Sequence, residues 1–303
     1  MPLVSIDDIF TKIENLPTIP SLILEINNIN PDGPQAAAEL DRLTEESPTI
    51  KGKLLKVINT IYYSYPDPIA SASEAVAAID FELVRNMLLS VAFIATFPPG
   101  TGKALNHREY WLHIATTAHI CRDMAEARED FSEEETRNIF LAATFHDLGI
   151  LVLESCYPEE YKKLLTACLE RTKPYLAVEQ EIFQGISHTT IGKLVANHWN
   201  CPSFIADIAE FHHEPERYTD GEFNKMLYLF HAAHFVGEVT KIGHFKQTPT
   251  QPLSWKALDF LGIEKTSLKE EAMKTLEREG EVKELLAILL AEYTPTKTRN
   301  KRR

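Results

Sequence analysis

At 303 residues with 44% apolar side chains, the chain can bury a sizeable core and exceeds the usual size of one packed unit, so two are expected. A net charge of -13 and a pI near 5.4 argue against a nucleic-acid partner, which needs a basic face to neutralise phosphates. No stretch approaches the roughly 18 uninterrupted apolar residues of a membrane span, and MPLVSIDDIF lacks the basic start and apolar middle of a signal peptide. A cytoplasmic protein without membrane contact is therefore expected.

In chain order the apolar residues recur at helical spacing almost throughout, with few alternating runs, so an all-α fold is predicted. Ser5, Asp7 and Asp8 read as a capped helix start that LPTIP ends at 16–20. Helices follow over 21–29, 34–46, 48–62, 71–78 and 81–96. VINTIYYSYPDPI at 57–69 gathers three tyrosines near a turn, read as a hinge core with a binding surface as the alternative, and Asn59 within it is expected to be buried and locally hydrogen-bonded. FPPGTGK at 97–103 cannot continue a helix and sets a boundary, giving an N-terminal helical subdomain over 1–100. A second subdomain over 104–244 carries helices at 106–129, 133–154, 158–171, 176–184, 188–199, 202–212 and 223–241. GHFKQTPTQP at 243–252 is the next break, followed by a helical extension over 251–293 and a basic tail, 294–303, read as solvated and disordered. Cys121, Cys156, Cys168 and Cys201 form no CxxC pair and read as reduced thiols.

All eleven histidines fall between His107 and His244, so the chemistry concentrates in the second subdomain. Glu109 and His113 lie four apart and share a helix face. His146 and Asp147 adjoin on the next helix, His188 opens another, His212 and His213 end the one after it, and His234 lies on the helix beyond. Imidazole and carboxylate are ligand types for manganese, iron and zinc, and a carboxylate can bridge two ions. Adjacent helical residues point about 100 degrees apart, so Asp147 could sit between two ions while His146 reaches one.

With these stretches in place the chain resembles the HDOD family, helical signalling relatives of the HD-domain metal-dependent phosphohydrolases. The resemblance runs from about Leu16 to Glu214 and is carried by LPTIP at 16–20, SPTIKGKLLKVINTIYY at 47–63, IASASEAVAAIDFELVRNMLLSVA at 69–92, YWLH at 110–113, FHDLGILVLE at 145–154, HTTIGKLVANHWNCP at 188–202 and FHHEPE at 211–216. It implies a multi-helix HD-domain-like bundle with an N-terminal helical subdomain, a regulatory role in bacterial signalling, and weak or absent catalysis. Carried across residue by residue, the metal motif of the catalytic relatives falls on His113, His146, Asp147, His188, His212 and His213, with Glu109 matching an extra carboxylate of the cyclic-dinucleotide branch. His234 stands where that motif ends in aspartate. Ile150 stands where the active branch places a phosphate-binding lysine, and EPERYTDGEF stands in place of its glycine-tyrosine-proline signature.

The resemblance thus implies a metal-binding interaction module with regulatory protein partners and one or two divalent ions, iron or manganese ahead of zinc. The alternative is a phosphohydrolase or phosphodiesterase acting on a nucleotide or cyclic dinucleotide. There Asp147 is the catalytic residue that bridges ions and orients water, and Lys193 the nearest basic candidate for a phosphate contact; a solvated helix lysine is the plainer role for Lys193. A third reading is a metal-free scaffold with the histidines hydrogen-bonded to Glu109 and Asp147. With no receiver, kinase or diguanylate-type segment attached, a stand-alone regulator is expected.

Overall fold

The structure is a computed structural model that describes residues 6–14, 22, 25–26, 29–61, 68–96, 282–283 and 104–280, the last without 171, 200, 220, 222, 223 and 247. Among these residues every regular element is helical, as the helical spacing of the apolar residues predicts. The first group comprises α1 (Ile6–Glu14), α2 (Ala36–Glu45), α3 (Pro48–Ile61), α4 (Ala72–Ala78) and α5 (Phe81–Thr96). LPTIP, the tyrosine turn at 62–67, the punctuation at 97–103 and the basic tail lie outside the described residues. Helix α4 starts where the Ser71 hydroxyl accepts from the Glu74 amide at 3.0 Å. The Asp41 carboxylate of α2 takes two more amides there, from Ala72 and Ser73. Together they satisfy amide donors that a helix start leaves without an internal partner. Asn59 is half-buried rather than fully buried, and it meets its expected need for partners by bonding both backbone groups of Ile69 and the Leu55 carbonyl.

The second group contains α6 (His107–Glu126), α7 (Glu133–Phe145), α8 (Leu148–Cys156), α9 (Pro158–Cys168), α10 (Tyr175–Ile182), α11 (His188–His198), α12 (Ser203–Phe211), a 3-10 turn at Pro215–Arg217, and α13 (Asn224–Thr240). Ser132 and Glu135 form a reciprocal capping box at the start of α7, and Ser187 caps α11. The helix predicted over 133–154 breaks at His146 and Asp147, where Asp147 leaves helical geometry at φ -97° and ψ 15°. The Ile150 amide then closes a tighter bond on the Asp147 carbonyl at 2.9 Å. Gly149 lets α8 lie directly against the start of α11, since a Cβ there would lie 2.0 Å from the His188 carbonyl oxygen. Residues 141–154 are buried on every side, so no amphipathic stripe reveals the change of direction. By length and hydropathy Glu133–Cys156 would pass for a membrane-crossing helix, but 83% of its apolar window is buried within the protein.

The apolar core runs through both groups, from Leu40, Leu54, Ile58 and Leu88 to Tyr110, Trp111, Ile139, Leu153, Ile191 and Phe230. Helix α5 packs on α7, and α1 on α8. The C-terminal helices α14 (Trp255–Leu261) and α15 (Lys265–Glu277) pack on α13, with α15 also against α6. Arg128 donates to the Leu261 carbonyl at 2.9 Å, and Lys274 and Arg278 meet Asp123. The four cysteines are free thiols.

Candidate metal centre

The break after α7 brings His146 and Asp147 to one point with His113 of α6, His188 at the start of α11, His212 and His213 just past α12, and His234 of α13. All seven are buried. Their donor atoms form two sets, each within 4.8 Å: His113, His146, Asp147 and His234, and then Asp147, His188, His212 and His213. Asp147 belongs to both. Its Oδ2 faces His113 Nε2 at 3.5 Å and His146 Nε2 at 3.4 Å. Its Oδ1 faces His188 Nε2 at 3.3 Å and His212 Nε2 at 3.6 Å. The meeting of distant histidines and acids inferred from the sequence is thus what the fold builds, except for Glu109. Its carboxylate is nearly one-third exposed, lies 3.8 Å from Arg108 and stays outside both sets.

The far side of the rings sets their tautomers. His146 Nδ1 donates to the Ala143 carbonyl at 2.7 Å, and His212 Nδ1 is shared between the carbonyls of Ile208 and Ala209, 3.0 Å from each. His188 Nδ1 donates to the Glu179 carboxylate at 2.6 Å. Because those partners accept, each ring carries a proton on Nδ1, and in its neutral, ligating form the Nε2 lone pair faces inward. His188 Nε2, His212 Nε2 and both Asp147 oxygens lack an aligned hydrogen bond. Lone pairs turned toward a buried carboxylate are costly unless a cation stands among them. Imidazole and carboxylate oxygen are the donor types of a transition-metal site, and a ring nitrogen tied back to a carboxylate or carbonyl is the usual support of a metal-bound histidine. The residues therefore fit a divalent ion.

Electrostatics agree. Burial holds His113, His213 and His234 well below the ordinary imidazole range and takes His212 down to about 3. They are neutral near pH 7, the form that ligates metal. Burial alone would raise the Asp147 carboxyl, but the positive charge beside it, Lys246 foremost, outweighs burial and holds it well below its usual value.

Lys246 was not found from the sequence. It lies in the polar break after α13, where only its place in a histidine-bearing loop distinguishes it, yet it is buried with Nζ 3.0 Å from Asp147 Oδ2. The contact is an ion pair without hydrogen-bond alignment. Gly243 places that loop: at φ +71°, its Cβ position would be 2.2 Å from the His113 amide, so only glycine fits against α6. Phe245 follows with its ring 5.7 Å from His113. Phe245 and Lys246 also line a cleft of about 710 Å³ bounded by Asn106, Glu154, Glu159 and Lys162. Glu179 was likewise missed, since nothing marks a helical glutamate as the partner of a histidine nine residues on. Lys193, the phosphate candidate, pairs with Glu210 and lies over the Phe211 ring. Ile150 is core.

The HDOD domain family model matches residues 16–215. A curated protein of Treponema pallidum (strain Nichols), described as uncharacterized, is 27% identical over 218 residues, which are 68% of this chain and 40% of that protein. The chain thus spans well under half the length of that relative. Among solved structures, an HDOD domain protein of unknown function from Geobacter sulfurreducens superimposes with a TM-score of 0.74 at 22% identity, covering 93% of this chain and 97% of that one. A candidate phosphohydrolase from Shewanella amazonensis SB2B gives 0.70 at 18%, covering 94% and 98%. A candidate signal transduction protein from Marinobacter aquaeolei VT8 gives 0.73 at 16%, covering 94% of this chain and 65% of that one. At these identities the structural likeness establishes the helical fold.

Proposed function

This chain belongs to the HDOD domain family, and from that premise we propose that it is a signal-transduction regulator whose buried centre binds a divalent metal ion and which acts on regulatory protein partners. One observation carries the metal reading: the inward Nε2 lone pairs of His188 and His212 against an Asp147 oxygen that has no hydrogen-bond donor. A bound ion would accept the unpartnered lone pairs of His188, His212 and Asp147 Oδ1, and its binding free energy would become folding free energy, because the donors come together only in the folded chain. Iron and manganese suit the mixed imidazole and carboxylate set, and no cysteine enters it.

Burial supports regulation over turnover. Hydrolysis needs a phosphoester oxygen beside the ion, whereas Asp147, His146, His188 and His212 are fully buried and Phe245 and Lys246 stand against the centre. A second reading, a metal-dependent phosphohydrolase acting on a nucleotide or cyclic dinucleotide, draws on the two oxygens of Asp147 facing separate imidazole sets, the arrangement of a two-ion site. Two assays decide between them: metal analysis of protein purified without an affinity tag, and hydrolysis of a generic phosphodiester with added manganese. Bound iron or manganese without turnover is expected. Turnover that disappears in Asp147→Ala while the helical spectrum persists would overturn the regulatory reading, and a centre that takes up no manganese, iron or zinc would overturn the metal reading.

A further inference from the structure

The two sides of Asp147 are not equivalent. On the Oδ2 side the Lys246 ammonium already stands 3.0 Å from the oxygen. It is held in a slot: Glu238 Oε1 lies 4.0 Å away, and the rings of Tyr175 and Phe245 each lie 5.5 Å from Nζ. Its loop is pinned two ways, by Gly243 against the α6 backbone and by the Gln251 amide bonded to Glu238 at 3.0 Å. On the Oδ1 side His188 and His212 present lone pairs, and among the described residues no lysine or arginine pairs with that oxygen. Two cations cannot share one buried oxygen at ionic distance without strong mutual repulsion, and a buried ammonium already neutralises the charge that would draw an ion there.

We propose that Lys246 is a built-in cation that takes the Oδ2 side of Asp147, so that the centre accepts a single divalent ion, held on the Oδ1 side by His188, His212 and His213. This rests on the metal reading above. Lys246 thereby turns a donor set shaped for two ions into a one-ion site, and His113, His146 and His234 surround the lysine-occupied side rather than a second ion. A residue from a polar loop, outside the histidine pattern, sets the stoichiometry.

The test counts manganese ions per chain in full-length protein stripped with chelator and then saturated with Mn²⁺, with circular dichroism recorded on each variant. One ion is expected in the unaltered protein, one in Lys246→Arg, which keeps the charge, and two in Lys246→Met. His188→Asn is expected to lose that ion or weaken it at least tenfold, while His234→Asn retains one ion. Two ions in the unaltered protein, or one in a folded Lys246→Met, would overturn the proposal while leaving the metal reading intact. If Lys246→Met does not fold even with manganese present, the histidine pair decides: loss in His188→Asn alone supports the assignment, and loss in His234→Asn alone overturns it. No manganese in any form would remove the metal reading, and this proposal with it.

Discussion

Asp147 shows what a single residue is asked to do. It is a buried carboxylate flanked by imidazoles whose protons have been turned outward, and its ionised form persists because the Lys246 ammonium offsets the cost of burial. Among its supports, Glu179 is the most testable, since its carboxylate fixes the proton of His188 from behind. Glu179→Gln keeps the shape and removes the charge, so manganese affinity is expected to fall by about 10- to 100-fold, the range for such supporting partners, with the helical spectrum unchanged. Calorimetric titration measures this, and an unchanged affinity would show that His188 is oriented by other contacts. The imidazoles and Asp147 were legible in the sequence because residue type and motif spacing mark them. Glu179 and Lys246 were not, because a carboxylate on a helix and a lysine in a loop are ordinary residues whose roles come from tertiary placement. Glu109 failed for the converse reason: sharing a helix face with His113 says nothing about which way a side chain at the helix start turns, and this one turns toward solvent and Arg108.

At the level of elements, the decisive feature is the break between α7 and α8, which swings His146 and Asp147 from a helix interior into a junction facing α11. Helix periodicity gives nearly every element here but not this turn, because an all-buried stretch carries no polar face to mark it. What lets α8 settle against the start of α11 after that turn is the missing side chain of Gly149 at the His188 carbonyl. Gly149→Ala is expected to push α8 from α11, destabilising the protein by about 1–3 kcal/mol, the usual cost of overpacking, and weakening metal binding because His188 moves with its backbone. Urea unfolding with and without manganese reads both effects. A variant within about 0.5 kcal/mol of the parent, the range of innocuous surface changes, would mean that the two helices separate freely.

Across the whole molecule, several buried histidines that stay neutral in the folded chain make stability depend on pH. His113, His212, His213 and His234 titrate below their ordinary value of 6.5 when folded, so as pH falls the unfolded chain takes up their protons first. Their contribution is fully present above about pH 6.5 and declines below it, by up to about 1.4 kcal/mol per pH unit for each histidine, toward the value of about 3 for His212. Asp147 adds a further loss only below its ordinary 3.8. The urea midpoint of chelator-treated protein is expected to fall between pH 7 and pH 5, and a flat or rising midpoint would show that these imidazoles are charged when folded. The all-α class, the family and the convergence of the histidines were all readable from pattern, whereas the continuity of the core across both helical groups emerged only from packing. The most direct test of the buried centre is anomalous X-ray scattering at the manganese or iron edge from crystals of the full chain grown with that ion. A peak within bonding distance of Asp147 Oδ1 and the Nε2 atoms of His188 and His212 is predicted, and crystals that show those side chains in place with no anomalous signal among them would contradict the account.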